Sequence, residues 1–229
     1  MEIHQIRQFR KKHRIFNALL MRNPVLVMGL DLPFIIAAAT SLKNAAAMAI
    51  VMLMIHVGTM LAGIATCRKL PYWLRMLVNA CVSTVIMMVA QALVAGLFKG
   101  ISNSLGMYLY LMAVNGMTIF QSSGLGRKAK IYPVVTGAVL STLGFALVAA
   151  ITGVIREYMG SGTLWGIPVY FPVKITALQL PFAGFIVVGF LLALSRLLNK
   201  LALSRMMREH ARRNVRHAKI YIDSVETID

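Results

Sequence analysis

Apolar residues in this chain run on for about 20 positions at a time, the length that crosses a bilayer as a helix. Six such runs, over residues 24–42, 44–66, 74–98, 104–125, 132–155 and 175–198, predict six transmembrane helices. Lys43 and Asn44 leave room for only a tight turn between the first two runs. Between the second and third, Arg68 to Arg75 intervene, and Pro71 bars a continuous helix. The fourth and fifth are parted by Gly124, Gly126, Arg127, Lys128 and Lys130. The longest connection, about 156–174, is rich in Gly and Pro and carries Trp165, Tyr170 and Phe171, residues suited to a membrane–water interface.

Two of the runs are interrupted. The first contains Gly29-Leu-Asp-Leu-Pro33, and the fourth contains Asn115-Gly116 followed by Ser122-Ser-Gly-Leu-Gly126. These breaks fall at corresponding places in two three-span halves, 24–98 and 104–198. Three spans per half make the halves antiparallel, so the expected architecture is all-α and integral to the membrane. It consists of two inverted three-helix repeats whose first and fourth helices are broken. Irregular backbone survives at membrane depth only against protein or a water-lined cavity, which directs attention to Gly29, Pro33 and Gly116.

Polar side chains inside the runs are the candidates for chemistry. Asp31 is the one carboxylate within a span. A buried charge there is costly unless paired, hydrated or protonated, so it is a candidate for an ion or proton pathway. Its place between Gly29 and Pro33 also allows a watered position in a broken helix. His56, midway along the second span, is either a second pathway candidate or a helix–helix hydrogen-bonding group. Asn115 completes the set of candidates, and it also reads, with Asn79, Gln91 and Gln121, as a partner for neighbouring backbone groups.

Composition sharpens the class. Apolar residues make up 59% of the 229 and charged residues 14%, too apolar for an ordinary soluble domain. The formal net charge of +17 raises nucleic acid as a partner, with Arg205, Arg208, Arg212, Arg213 and Arg216 as the densest stretch. The long apolar spans argue against it. The charge follows the positive-inside pattern instead: with the N-terminus inside, 20 Lys and Arg fall on one side and 4 on the other. Both termini are therefore expected in the cytoplasm. Residues 1–22 read as a basic amphipathic segment at the bilayer surface, with Ile3, Ile6, Phe9 and Phe16 on its apolar side. Residues 199–229 read as a basic tail suited to anionic lipid or to an acidic partner. Two cysteines, Cys67 and Cys81, are too few for a disulfide framework or a four-thiolate centre within one chain.

Four stretches carry a resemblance to a known family. Asn23-Pro-Val-Leu-Val27, Ala113-Val-Asn-Gly116 and Leu180-Pro-Phe-Ala-Gly-Phe-Ile-Val-Val-Gly-Phe-Leu-Leu-Ala-Leu194 are largely apolar. Ile155-Arg-Glu-Tyr-Met-Gly-Ser-Gly-Thr-Leu164 is the most specific, through Arg156, Glu157, Gly160, Ser161 and Gly162. Together, over residues 20–200, the chain resembles the membrane subunits of the Rnf and Nqr complexes, more the RnfE/NqrD branch than the RnfA/NqrE branch.

The resemblance implies six spans in an inverted repeat, paired with a homologous six-span subunit in the opposite orientation. It implies a bacterial or archaeal cytoplasmic membrane. It also implies a redox complex that passes electrons among ferredoxin or NADH, flavins and quinone while moving sodium ions or protons. In the family, each paired subunit supplies one cysteine from its broken first span and one from its broken fourth span to an interfacial iron–sulfur cluster. This chain departs from that pattern. Leu30-Asp-Leu-Pro33 stands where the family has Gly-x-Cys-Pro, and Val114-Asn-Gly116 where it has Val-Asn-Cys. Cys67 and Cys81 occupy neither place, and no cofactor is expected in this chain itself; flavin, iron–sulfur and quinone would lie with partner subunits.

The expected function is thus a membrane subunit of an Rnf/Nqr-like ion-translocating complex, in a scaffold, ion-pathway or coupling role. The alternatives are a stand-alone transporter of ions or small solutes on the same fold, and a membrane anchor for a soluble enzyme. No nucleotide-binding fingerprint, nucleophile elbow or metal-ligand array points to catalysis within the polypeptide.

Overall fold

A computed structural model describes residues 24–98, 100, 105–169, 174–198, 200, 201 and 204. The expected amphipathic segment 1–22 and nearly all of the basic tail 199–229 lie outside the described residues. The chain divides into two units, residues 1–191 and 192–229, and the helix breaks and both buried polar clusters belong to the first.

The described elements are almost wholly helical. In chain order they are α1 (Pro24–Met28), α2 (Leu32–Ala38), α3 (Leu42–Lys69), α4 (Tyr72–Leu97), α5 (Met107–Leu111), a 3₁₀ turn (Met112–Val114), α6 (Gly116–Ser123) and α7 (Ile131–Ser161). A two-residue antiparallel hairpin, Thr163–Leu164 with Ile167–Pro168, follows. Its turn is Trp165-Gly166, both at positive φ, as a tight hairpin demands. A second 3₁₀ turn (Thr176–Gln179) then leads to α8 (Pro181–Leu198). Among the described residues four helices, α3, α4, α7 and α8, are long and apolar enough to cross a membrane.

Local chemistry sets the ends of these helices. Ser41 caps α3, its Oγ accepting from the Asn44 amide at 3.2 Å, and Arg68 and Lys69 sit favourably in the last turn. Pro71 separates α3 from α4. At the far end of α7, Gly162 takes the left-handed conformation that closes a helix at φ 68°. The first break arises where Gly29 and Asp31 turn left-handed, at φ 69° and 61°. The second arises where α5 tightens into the 3₁₀ turn and Asn115 becomes extended.

The core is built around α3, which packs on α4, α6 and α7. Of its most apolar stretch 56% is buried, against 22% for α4, so α3 is the central helix and α4 a peripheral one. Helices α3 and α6 lie side by side and run the same way. Met52 meets Asn115, His56 meets Thr118, Gly63 meets Ser122 and Cys67 meets Gly126.

Three boundaries differ instructively from the sequence expectation. The turn between the first two runs was expected at Lys43 and Asn44, yet both lie in the first turn of α3, whose cap is Ser41. Residues 156–161 were expected in a loop, yet α7 continues through Arg156, Glu157, Gly160 and Ser161. Counting apolar residues ends a span at its first charges. Here those charges are buried and hydrogen-bonded within the protein, so the helix has no reason to stop. Conversely, the last run begins not at 175 but at Pro181, after a 3₁₀ turn; the residue before a proline disfavours the α conformation.

Candidate functional site

The two helix breaks, 86 residues apart in sequence, meet in space. Asp31 projects its carboxylate across to the first turn of α6, where Oδ1 accepts from the Met117 amide at 3.4 Å. A carboxylate at a helix N-terminus complements the unpaired amides and the dipole there. A Cβ on Gly116 would lie 3.4 Å from Leu30 Cδ2 and 3.8 Å from Asp31 Oδ1, so the breaks are in van der Waals contact. Asp31 is 5% exposed despite its charge.

Asn115 serves both sides of the second break. Its Oδ1 accepts from the Thr118 amide at 2.7 Å and caps α6, while Nδ2 donates to the Met112 carbonyl at 2.7 Å and closes the preceding 3₁₀ turn. Only an amide side chain offers an acceptor and two donors on so short a stem. Nδ2 also approaches Met52 Sδ at 3.5 Å. The Ser83 hydroxyl donates to the Ala113 carbonyl and ties the same break to α4.

His56 reaches this junction from α3. Its Nδ1 lies 3.0 Å from Thr118 Oγ1, and the ring is wholly buried. Asp31 and His56 therefore engage adjacent residues of one helical turn, Met117 and Thr118. Three buried side-chain polar atoms among the described residues have no hydrogen-bond partner: Asp31 Oδ2, His56 Nε2 and Thr59 Oγ1. All three belong to this region, Thr59 being one turn beyond His56 on α3. Further along the same seam, Asn79 Nδ2 donates to Ser122 Oγ at 3.1 Å and Thr66 Oγ1 donates to Asn79 Oδ1 at 3.1 Å. Sequence reading found Asp31, His56 and Asn115, named Ser122 only as part of a helix interruption, and missed Thr59, Thr66 and Thr118. Their signal, small hydroxyls recurring at helical spacing on α3 and α6, is common in apolar helices.

The second polar cluster has a different character. Arg156 is wholly buried and donates to five carbonyls. Ile36 O at 2.7 Å and Ala39 O at 3.3 Å lie at the end of α2. Leu178 O at 3.0 Å, Gln179 O at 2.9 Å and Leu180 O at 3.3 Å lie at the end of the second 3₁₀ turn. The guanidinium thus satisfies carbonyls that helix ends leave open.

Glu157 serves the opposite kind of terminus. Oε2 accepts from the Leu42 amide at 2.7 Å, at the start of α3, and Oε1 accepts from the Gly166 amide at 2.9 Å and from Thr163 Oγ1 at 3.3 Å. Gly160 lets Gln179 approach, since a Cβ there would lie 2.8 Å from Gln179 Nε2, which itself donates to the Arg156 carbonyl. Ser161 Oγ bonds the Glu157 carbonyl at 2.8 Å and lies 2.9 Å from Thr163 Oγ1. The motif residues Arg156, Glu157, Gly160, Ser161 and Gly162 hold the α2–α3 corner against α7, and every atom of both charged groups for which a partner is needed has one.

The donors at the breaks do not fit an iron–sulfur cluster. Leu32 and Gly116 stand at the two positions where the family resemblance places cysteines, and neither can bind iron. Among the described residues no group of three or more His, Cys, Asp or Glu side chains could hold a metal ion. Cys67 is 11 residues beyond His56 on α3, about 16 Å along the helix axis at 1.5 Å per residue, and its thiol donates to the Ile64 and Gly126 carbonyls. Cys81 is exposed on α4.

The model of the family described as "Rnf-Nqr subunit, membrane protein" matches residues 12–192. The E component of the ion-translocating oxidoreductase complex of Shewanella oneidensis is 26% identical over 213 residues, covering 86% of this chain and 92% of the relative. The same component of Vibrio atlanticus is also 26% identical over 213 residues, with 86% and 93% covered. The E component of the proton-translocating ferredoxin:NAD(+) oxidoreductase complex of Clostridium ljungdahlii is 28% identical over 192 residues, with 80% and 86% covered.

Proposed function

Since the chain belongs to the Rnf-Nqr family of membrane subunits, we propose that it is a multi-pass inner-membrane subunit of a redox-driven, ion-translocating oxidoreductase complex. The names of its relatives, one ion-translocating and one proton-translocating, support this reading. Flavin, iron–sulfur and quinone chemistry belongs to partner subunits. This chain brings no thiolate to the broken helices, so its part is ion passage and coupling, with Asp31, His56 and Asn115 as the pathway residues.

The fold reading that goes with this function is six spans in two inverted triplets. The broken α1–α2 with α3 and α4 form one triplet, and the broken α5–α6 with α7 and α8 the other. Both triplets open with a helix interrupted near its middle, and α3 and α6 run parallel, as alternating crossings of a membrane require. The charge bias of 20 to 4 supports cytoplasmic termini.

One observation carries the partner. Gly29, Pro33, Val114 and Gly116 are exposed, with exposed Val27, Met28, Leu111 and Phe120 around them. Irregular backbone at this depth is not tolerated against lipid, so another protein covers this surface. A homologous six-span subunit in the opposite orientation, bringing its own broken helices to the same surface, is the occupant that fits best.

Gentle solubilisation followed by subunit and cofactor analysis tests the proposal. The chain is expected to copurify with a second six-span homologue and with flavin- and iron-bearing subunits. Isolation as a lone protein that takes up solute by itself would overturn it.

A further inference from the structure

We propose that Asp31 is a proton-carrying group, and that the seam between α3 and α6 is the polar line along which its proton exchanges toward the end of the molecule bearing Arg68, Lys69 and Arg75. This rests on the reading of the chain as an ion-translocating subunit, and adds the class of ion and the side chain that holds it.

The geometry of the carboxylate is the starting point. One oxygen is taken by the Met117 amide and the other has no partner, on a side chain 5% exposed. A buried charge has to be paired, ligated or neutralised, and the free oxygen is where a cation adds. The surroundings decide which cation. Hard metal ions gather about six or more oxygen ligands in the well-studied divalent cases. Among the described residues the other unpartnered buried side-chain atoms are one imidazole nitrogen and one hydroxyl, and the apolar Leu30 side chain packs at Gly116. As side-chain ligands, that set is poor in oxygen for a metal cation. A proton needs a single acceptor.

The titratable neighbours are few. The elements packed against α1 and α2 are α3, α5, α7 and α8, with α6 reached through Asp31 itself; the titratable side chain of α8 is Arg196. Helix α3 carries Lys43 at one end, His56 at this level, and Cys67, Arg68 and Lys69 at the other end; α6 carries none. Tyr108 and Tyr110 lie on α5, where the Tyr110 hydroxyl accepts from Gln91. On α7 are Tyr132, Tyr158, and the Arg156 and Glu157 engaged at the α2–α3 corner. His56 is the titratable side chain that shares the Met117–Thr118 turn with Asp31.

Proton exchange along the seam balances at each step. Addition at Oδ2 turns the carboxylate into a neutral acid, and release restores the anion. A neutral imidazole takes a proton on one ring nitrogen and gives one up from the other, ending in the opposite tautomer with no net charge. The hydroxyls of Thr118 and Thr59 likewise accept one proton and release one. Thr59 stands one turn beyond His56 on α3 and Ser122 one turn beyond Thr118 on α6. Asn79 bonds both Ser122 and Thr66 and positions these two hydroxyls at the end of the line; its amide holds them in place and does not itself pass the proton.

The test is pH-induced infrared difference spectroscopy on the full chain, purified within its complex and held in lipid nanodiscs. Wild type is expected to show the carbonyl stretch of a protonated carboxylic acid that grows on acidification, shifts in deuterated water and is lost in Asp31→Asn. Asp31→Glu keeps the carboxyl group and is expected to move the band without removing it, which keeps the test decisive should Asp31→Asn not assemble. Thr59→Val preserves shape but removes the orphan hydroxyl, and is expected to keep the band while slowing its deuterium exchange severalfold. Absence of such a band at any pH, or a band unchanged in Asp31→Asn, overturns the proposal. Loss of the band on adding sodium chloride at fixed pH, but not potassium chloride, would give the site to a metal cation and overturn it as well. An exchange rate unchanged in Thr59→Val overturns the seam. A chain purified without redox partners would count against the proposed function, yet the band and its loss in Asp31→Asn could still be read.

Discussion

Two buried polar clusters lie within a few turns of each other, and they are built on opposite plans. Around Arg156 and Glu157, neighbours in sequence with opposite charges, neither group turns to the other. The guanidinium takes the carbonyls at two helix ends, and the carboxylate takes the amides at a helix start and a hairpin. Around Asp31 and His56 the bonding is incomplete, and three polar atoms are left without partners. A fully bonded cluster fixes geometry and has nothing left to bind. An incomplete one retains a cost that a protein keeps where something must add and leave. The contrast separates architecture from function within a single fold.

The largest expected effect comes from breaking the complete cluster. Arg156→Leu removes the donor to five carbonyls, two of them buried and three part-buried, and is expected to cost about 4 kcal/mol or more, so that little folded chain accumulates. Membrane-extracted yield with size-exclusion homogeneity reads this out. Gly184→Ala attacks the same corner from α8. A Cβ there would lie 2.6 Å from the Ile36 carbonyl oxygen, a rigid backbone atom that also accepts from Arg156. A loss of about 2–3 kcal/mol, in the range for overpacking, is expected in thermal unfolding. Glu157→Gln keeps an acceptor for Leu42 but loses the charge, and is expected to cost about 1–2 kcal/mol in the same assay. At the incomplete cluster the order reverses. Thr118→Val removes the hydroxyl beside His56 and is expected to change stability by about 1 kcal/mol or less while impairing ion movement.

The sequence disclosed the breaks because their signals are local. Gly29, Pro33 and Gly116 interrupt apolar runs, and Asp31 is a charge where none should be. Asn115 was found by the same logic, although its double cap could not be read from a single polar position. The partners of Arg156 and Glu157 were invisible because they lie up to 120 residues away. The charges themselves were mistaken for the end of a membrane span, when burial among carbonyls and amides lets α7 carry them. Thr59 and Thr118 stayed hidden for another reason: a threonine in an apolar helix more often bonds its own backbone, as Thr142 and Thr152 do here.

The most direct test is the voltage generated by electron transfer in vesicles holding the assembled complex, compared between wild type and Asp31→Asn. Unaltered subunit composition with the voltage lost is the predicted outcome, since Asn retains an oxygen for the Met117 amide but cannot take up and release the ion. Wild-type voltage in that variant would show that the incomplete cluster carries no ion, and the contrast between the two clusters would lose its functional meaning.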